Sequence, residues 1–229
     1  KIPMTLNYGE EYTVSVNVGA DMVRGFVNGE QIFQLGGEAP ATTFAGAAGF
    51  GHWSTEAYVD NLKVVSFTDG SVLYENTFDD ASSLDDLKHD LATYSGGTYT
   101  GDPAVFEWED GTLHQTDSSM TGVISYFGDT TWRNYIYTMD VMPVAGAEGA
   151  TILGAINLDA PSYVLYNCGG WSNTKGCWQT YNAGTTESFD GDGLDKSLAY
   201  DEWHTLQLVV LDYAIFSYID GQFCQAWWN

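Results

Sequence analysis

Apolar and polar residues alternate with a period of two along much of the chain, which is the pattern of half-buried β-strands. The clearest alternation covers residues 12–18, 134–141 and 204–210. Asn-Gly or Asp-Gly pairs, the strongest short hairpin signal, stand between strands at residues 28–29, 110–111 and 220–221. Many short strands joined by Gly and Asp turns predict an all-β protein, either a sandwich or a jelly roll.

Helical periodicity is scarce. Residues 83–91 are the best short helix candidate, with Ser82 or Ser83 as the N-cap and two aspartates in the first turn. We therefore expect one short helix at most within a β framework.

The chain contains an internal repeat. Residues 6–32 recur at residues 198–224 without a gap, so each residue aligns with the residue 192 positions later. Self-similarity of this kind predicts one unit of about 192 residues plus a duplicated stretch. Residues 1–66 then form the closing half of a sandwich unit, residues 67–229 form its opening and central strands, and the two together make about one domain.

Under this interpretation the closing strands precede the body that they should complete. Residues 43–66 must pair somewhere, because a sandwich that lacks strands exposes backbone donors, acceptors and an apolar face. Three alternatives stay open: closure within the chain as a circular permutation, strand exchange with a neighbouring chain, or excision of the sequence from a tandem array. We expect permuted or exchanged closing strands.

Composition narrows the class of protein. The formal net charge of −24 arises from 31 acidic and 7 basic residues, which disfavours nucleic acid and anionic membranes as partners. Aromatic residues make up 15% of the chain, which indicates a folded protein with an acidic surface. No run of 18 apolar residues occurs, so we expect no membrane span.

Three cysteines occur, and none belongs to a zinc-type CxxC pair. Cys168 and Cys177 flank a glycine-rich turn, so they could form a hairpin disulfide. The alternative is that both are buried small hydrophobic residues.

Four motifs, one of them split between two segments, resemble concanavalin A-like sandwich modules of the laminin-G type. Three of them, residues 105–117, 127–135 and the pair 201–204 with 218–221, are similar to motifs found across these modules. The fourth, residues 163–174, resembles the module attached to family 51 α-L-arabinofuranosidases. The resemblance implies a concanavalin A-like jelly-roll β-sandwich that is extracellular or on the cell surface. It also implies a non-catalytic lectin-like module of a glycoside hydrolase that acts on arabinose-containing or related polysaccharide.

Aromatic and amide side chains mark a candidate carbohydrate site. Sugars stack their C–H faces on aromatic rings and pair their hydroxyls with amides. Such side chains are dense between residues 166 and 181, and further candidates lie elsewhere; the predicted sugar-binding residues are Tyr166, Asn167, Trp171, Asn173, Trp178, Gln179, Tyr181, Trp132 and Trp53, with His52 beside them. The alternative is that several of these side chains pack in the sheet core.

The resemblance also implies a structural calcium ion where the first and last strands of the unit meet. Calcium takes six to eight oxygen ligands. The residues that the resemblance points to are Asp60, Asn61, Glu75, Asn76, Asp79 and Asp80. The alternative is that they are solvated turn acids.

Two other function classes stay open. The chain could be an assembly subunit, of a surface fibre or a swapped oligomer, that uses strand exchange. It could also be a glycoside hydrolase on a concanavalin-like sandwich, which requires two placed carboxylates. The nearest acidic arrangement is residues 107–110, which the resemblance makes a structural hairpin.

Overall fold

The structure is a computed structural model that describes residues 5–18, 22–36, 43–91, 96–159, 161–182, 185–195 and 197–228. The described residues are nearly all β, in several antiparallel sheets, which confirms the all-β prediction and is consistent with a sandwich. The jelly-roll topology stays a prediction. Two compact units occur, residues 1–43 with residue 229 and residues 44–228, and each is described by itself.

The first unit contains a three-stranded antiparallel meander, made of β1 (Val14–Val18), β2 (Met22–Val27) and β3 (Glu30–Gly36). Asn28 and Gly29 join β2 to β3 with φ angles of 50° and 81°. These left-handed values are those of a type I′ hairpin turn, so the predicted hairpin is confirmed.

The larger sheet of the second unit has eight strands, in the order β17-β16-β15-β10-β5-β8-β7, with β6 also paired to β5. Its strands are β5 (Thr55–Ser66), β6 (Val72–Asn76), β7 (Phe106–Glu109), β8 (Thr112–Gln115), β10 (Tyr135–Gly146), β15 (His204–Leu211), β16 (Ala214–Ile219) and β17 (Gln222–Trp228). The predicted hairpins at residues 110–111 and 220–221 join β7 to β8 and β16 to β17, again with positive φ.

The smaller sheet of the second unit has six strands, in the order β14-β13-β12-β11-β4-β9. Its strands are β4 (Ala47–His52), β9 (Val123–Phe127), β11 (Ala150–Asn157), β12 (Ser162–Gly169), β13 (Lys175–Asn182) and β14 (Thr185–Asp195).

The strands between residues 44 and 66 lie inside the second unit. β4 pairs with β9 and β11, and β5 pairs with β10, β8 and β6. A short turn, in which Ser66 N donates to Ser71 O at 2.8 Å, leads from β5 into β6. In this single chain both strands therefore pair intramolecularly. The division at residues 66 and 67, and exchange between chains, stay predictions.

The main core brings together apolar side chains of both sheets, including Phe50 and Trp178 from the smaller sheet and Tyr135, Met139 and Leu206 from the larger one. A second, smaller cluster contains Tyr163, Leu165 and Tyr181 of the smaller sheet. Because successive side chains of a strand point to opposite faces, this second cluster lies on the outer face of the smaller sheet.

One local prediction is wrong. Residues 83–91 do not form a helix; a 3₁₀ turn covers Ala81–Asp86, and its cap is Asp80, whose carboxylate accepts from Ser82 N. Lys88 then bridges to Tyr126 in extended conformation. The turn ends at Leu87, whose N–H donates to Leu84 O and whose backbone is extended, because the chain goes directly into the pairing of Lys88 with Tyr126.

Of the two alternatives that the sequence leaves open for Cys168 and Cys177, the structure shows the second. Cys168 and Cys177 are buried thiols, as is Cys224. Cys177 lies opposite Asn167, and Cys168 lies opposite Gly176. Neighbouring positions on a strand face opposite sides, so the two sulfurs are on different faces of the sheet.

No helix among the described residues is long and apolar enough to cross a membrane.

Candidate functional site

Four loops meet at one end of the second unit, and the loop between β10 and β11 bonds to the other three. Ala147 N donates to Ser54 O at 2.8 Å, in the turn between β4 and β5. Gly149 N donates to Gly169 O at 2.9 Å, at the end of β12. Tyr200 donates its hydroxyl to Glu148 O at 3.2 Å. Loops gathered on a sheet scaffold are where binding residues most often lie.

The connection between β12 and β13, residues 169–174, is here called the tryptophan loop. Three successive non-glycine residues in it have left-handed backbones: Trp171 (φ 51°), Ser172 (φ 62°) and Asn173 (φ 57°). This conformation costs about 1–2 kcal/mol for each residue with a Cβ. Such strain persists only where the surroundings hold the segment in place, and it concentrates at functional sites.

Side chains from distant parts of the sequence hold the tryptophan loop. The Glu148 carboxylate accepts from the backbone N–H groups of Trp171 and Ser172. The Asn173 amide brackets the backbone of Leu198, donating to its carbonyl at 2.7 Å and accepting from its N–H at 2.9 Å. Thr174 closes the turn by donating its hydroxyl to Trp171 O at 2.7 Å.

Burial raises the pKa of Glu148, and the hydrogen bonds from Trp171 and Ser172 partly offset that effect. Sequence reasoning missed Glu148, whose position in a glycine-rich stretch marks only a loop.

Positions 169 and 170 have little room for a side chain. A Cβ at Gly169 would lie 2.3 Å from Asn173 Oδ1, and one at Gly170 would lie 2.6 Å from Asn167 Nδ2. The Gly-Gly pair therefore lets the backbone approach both asparagine amides. The predicted residues Asn167 and Asn173 therefore both lie against the glycine pair.

The result of this bracing is an indole that faces solvent. The Trp171 side chain is 42% exposed, and Lys175 Nζ lies 6.0 Å from its ring centroid. A large aromatic ring held out by a strained loop can stack on an apolar ligand face without losing much conformational entropy on binding.

Strand alternation separates the remaining predicted residues of this stretch. Tyr166 and Trp178 point into the main core, where they meet edge to face at a centroid distance of 4.9 Å. Trp178 is fully buried, and its Nε1 meets no hydrogen-bond partner among the described residues. In this structure both rings pack in the core.

Asn167, Gln179 and Tyr181 lie on the outer face of the smaller sheet, on the side of the second cluster. The Tyr181 ring stacks on Tyr163 at 4.9 Å and 4°. All three predicted side chains are largely buried.

The two tryptophans from other segments lie at opposite ends of β4. Trp53 follows β4 and packs against the second cluster, at the end where the tryptophan loop lies. Trp132 accepts at its carbonyl from Gly46 N, before β4, and its ring meets Tyr135 edge to face at 6.1 Å. Trp53 thus lies at the same end of the second unit as the tryptophan loop, and Trp132 lies at the other end. His52 is fully buried beside Phe50, and burial lowers its pKa to about 4.

The strands that carry the predicted calcium ligands do pair, yet most of the side chains have other partners. Glu75 forms an ion pair with Lys63 at 2.7 Å. Asn76 is buried and donates to Ser83 O at 2.9 Å. The Asp80 carboxylate caps a 3₁₀ turn, as described above.

Asp60 and Asn61 face a different neighbour, Asp140 of β10. Asn61 Nδ2 donates to Asp140 Oδ2 at 2.9 Å. Burial raises the pKa of Asp60, and the charges of Asp140 and Asp79 raise it further. The described residues contain no group of three or more His, Cys, Asp or Glu arranged to hold a metal ion. The calcium site stays a prediction.

Comparison with known proteins gives a distant relative. Over 179 residues, 77% of the chain, the sequence is 27% identical to an extracellular exo-alpha-L-arabinofuranosidase from Streptomyces chartreusis. The matched stretch is 19% of that enzyme's length. No family model and no solved structure matches the chain. The chain is therefore a distant homologue of part of an extracellular arabinofuranosidase.

Proposed function

We propose that this protein is a non-catalytic, lectin-like module that binds carbohydrate as an accessory part of an extracellular glycoside hydrolase. The proposal extends to arabinose-containing or related polysaccharide as the ligand and to an extracellular location. The named relative supports both extensions, because it is an extracellular enzyme that acts on arabinofuranosides.

One observation carries the proposal: Trp171 stands exposed on a left-handed turn that Glu148 braces from another loop. A structural role alone does not require an exposed indole, because burying a large side chain of this kind stabilises a fold by about 1.5–3 kcal/mol. Pyranose and furanose rings present C–H faces that stack on such an indole.

Affinity electrophoresis in gels that contain arabinan or arabinoxylan tests the proposal. The unaltered chain should be retarded, and Trp171→Ala should lose most of that retardation. Trp228→Ala is the matched control, because Trp228 is similarly exposed, at 48%, and lies on an edge strand. Equal mobility of unaltered chain and Trp171→Ala in both gels removes the tryptophan loop as the binding site.

We propose no catalytic role for the acidic hairpin at residues 107–110. Glu109 accepts from Tyr58 at 3.1 Å and lies 2.8 Å from His114 Nδ1, and His114 Nε2 lies 3.0 Å from Glu56. These contacts lock the acid into a surface network. A reducing-sugar assay on arabinan and arabinoxylan should show no release by the chain, and release above the level of an inactive control protein would favour the hydrolase alternative.

A further inference from the structure

The internal repeat is also a repeat of structure. At the offset of 192, β2 (Met22–Val27) and β3 (Glu30–Gly36) coincide with β16 (Ala214–Ile219) and β17 (Gln222–Trp228), end for end. β1 falls within β15 at the same offset. The first unit therefore contains a second version of the meander that ends the larger sheet of the second unit.

The two meanders share their pairing register and their irregularities. Val16 lies opposite Gly25 as Leu208 lies opposite Ser217, and a β-bulge follows Gly25 as one follows Ser217. A one-residue slip would move every side chain to the other face, so equal register means equal faces.

The turns are stabilised in the same way. Thr13 N donates to Asn28 Oδ1 at 2.8 Å, and Thr205 N donates to Asp220 Oδ1 at 2.8 Å. β1–β3 therefore has the pairing register, the bulge position and the turn hydrogen bond of β15–β17.

The two meanders differ in what covers them. Leu206, Leu208 and Val210 are fully buried, because β15 pairs with β10 and faces the main core. The equivalent residues of β1 are exposed: Val14 by 67%, Val16 by 54% and Val18 by 76%.

The exposed part of this face is the row of β1 valines. Opposite them stand Val23, Gly25 and Val27 of β2, of which Val27 is buried, and the Phe33 ring of β3 lies over Gly25. Exposed apolar sheet faces and unpaired strand edges mark interaction surfaces. In the sheets of the described residues β1 pairs with β2 alone, so its other edge is open.

We propose that β1–β3 is a strand-exchange surface whose partner is a second copy of the sandwich body. On that copy β1 takes, against β10, the place that β15 holds in this structure. The shared register then sets Val16 opposite Tyr137 and Val18 opposite Tyr135, as Leu208 and Val210 are set here. Since β15–β17 fills this place in an intact copy, docking requires a copy whose own meander has left it.

Variants of the full-length chain that weaken the packing of β15–β17 against β10 test the proposal. Leu208→Asp puts a charge into the core and weakens the native meander. If β1–β3 of another copy replaces it, this variant keeps a cooperative thermal transition and forms dimers or larger species by light scattering. Adding Val16→Asp disables the replacement, so the double variant should lose the larger species and melt at least about 5 °C below Leu208→Asp.

Controls separate docking from general destabilisation. Val16→Asp alone should change the melting temperature by no more than about 2 °C, because Val16 is exposed in this structure. Ser15→Asp, on the opposite face of β1, should leave the behaviour of Leu208→Asp unchanged. If Leu208→Asp does not fold, the same comparison in Leu208→Ala decides.

Equal melting temperature and equal mass of the single and double variants would overturn the proposal. A folded Leu208→Asp that is monomeric at every concentration would overturn the role of a second copy.

Discussion

The carboxylate of Glu148 accepts a hydrogen bond from the backbone N–H of Trp171, which stands 23 positions further along the chain in another loop. A second bond, from Ser172 N–H, goes to the same carboxylate. The pair fixes the first half of a left-handed turn that an isolated chain would not adopt. We therefore expect the exposure of the Trp171 ring to depend on the Glu148 carboxylate, which acts on the loop through its backbone N–H groups.

Glu148→Gln should loosen the tryptophan loop. Because burial raises the pKa of Glu148, its charge costs stability, as for Asp60, so the variant should not lower the free energy of unfolding. It does lose a charged acceptor for two N–H groups, and we therefore expect weaker binding to arabinan. Urea denaturation and affinity electrophoresis measure the two effects. Glu202→Gln is the matched control, since Glu202 is exposed. Unchanged binding in Glu148→Gln would show that the loop keeps its shape without the carboxylate.

Trp178→Ala should lower the free energy of unfolding much more than Trp171→Ala. Trp178 is fully buried against Tyr166, so its truncation should cost about 3–5 kcal/mol of unfolding free energy. Trp171→Ala should cost far less, because its ring is 42% exposed. Chemical denaturation of both variants measures the difference. Equal losses would contradict the assignment of the two rings to different environments.

Stability should fall as the pH drops from about 6.5 to about 4, because His52 is buried. Burial lowers the His52 pKa from 6.5 to about 4, so the unfolded chain binds a proton in this range and the folded chain does not. The loss amounts to about 3 kcal/mol when complete. The raised pKa values of Asp60 and Glu148 act in the opposite direction. The readout is therefore the difference in melting temperature between the unaltered chain and His52→Leu at each pH. Parallel curves would contradict the prediction.

Asp60→Asn should raise the melting temperature when divalent cations are absent. The pKa of Asp60 is raised by burial and by Asp140 and Asp79, so its charge destabilises the fold and its removal relieves that cost.

The predicted calcium site is tested with the same two proteins. Millimolar Ca²⁺ should raise the melting temperature of the unaltered chain and not that of Asp60→Asn. An equal response of both proteins to Ca²⁺ would exclude Asp60 as a ligand.

The fold follows from sequence where the signal is local. The Asn28-Gly29 and Asp220-Gly221 turns were predictable, because few residue pairs adopt two successive left-handed conformations without strain. Strand order was not predictable in the same way. That β4 inserts between β9 and β11 depends on which apolar face closes the core, and this is a property of the whole chain.

The candidate site was predictable in composition and not in arrangement. Aromatic and amide residues between 166 and 181 pointed to the segment that contains the tryptophan loop, yet the sequence does not state the pairing register. The register sends Trp178 inward and Gln179 outward. Glu148 was missed because its contact with Trp171 arises only after two loops meet at one end of the sandwich.

Isothermal titration calorimetry with an arabino-oligosaccharide is the most direct measurement of sugar binding at Trp171. The unaltered chain and Trp228→Ala should bind with the same affinity, and Trp171→Ala should bind at least about tenfold more weakly, the equivalent of 1.4 kcal/mol. Binding of equal strength by the unaltered chain and Trp171→Ala, or no heat of binding from the unaltered chain, would contradict a carbohydrate site on the tryptophan loop.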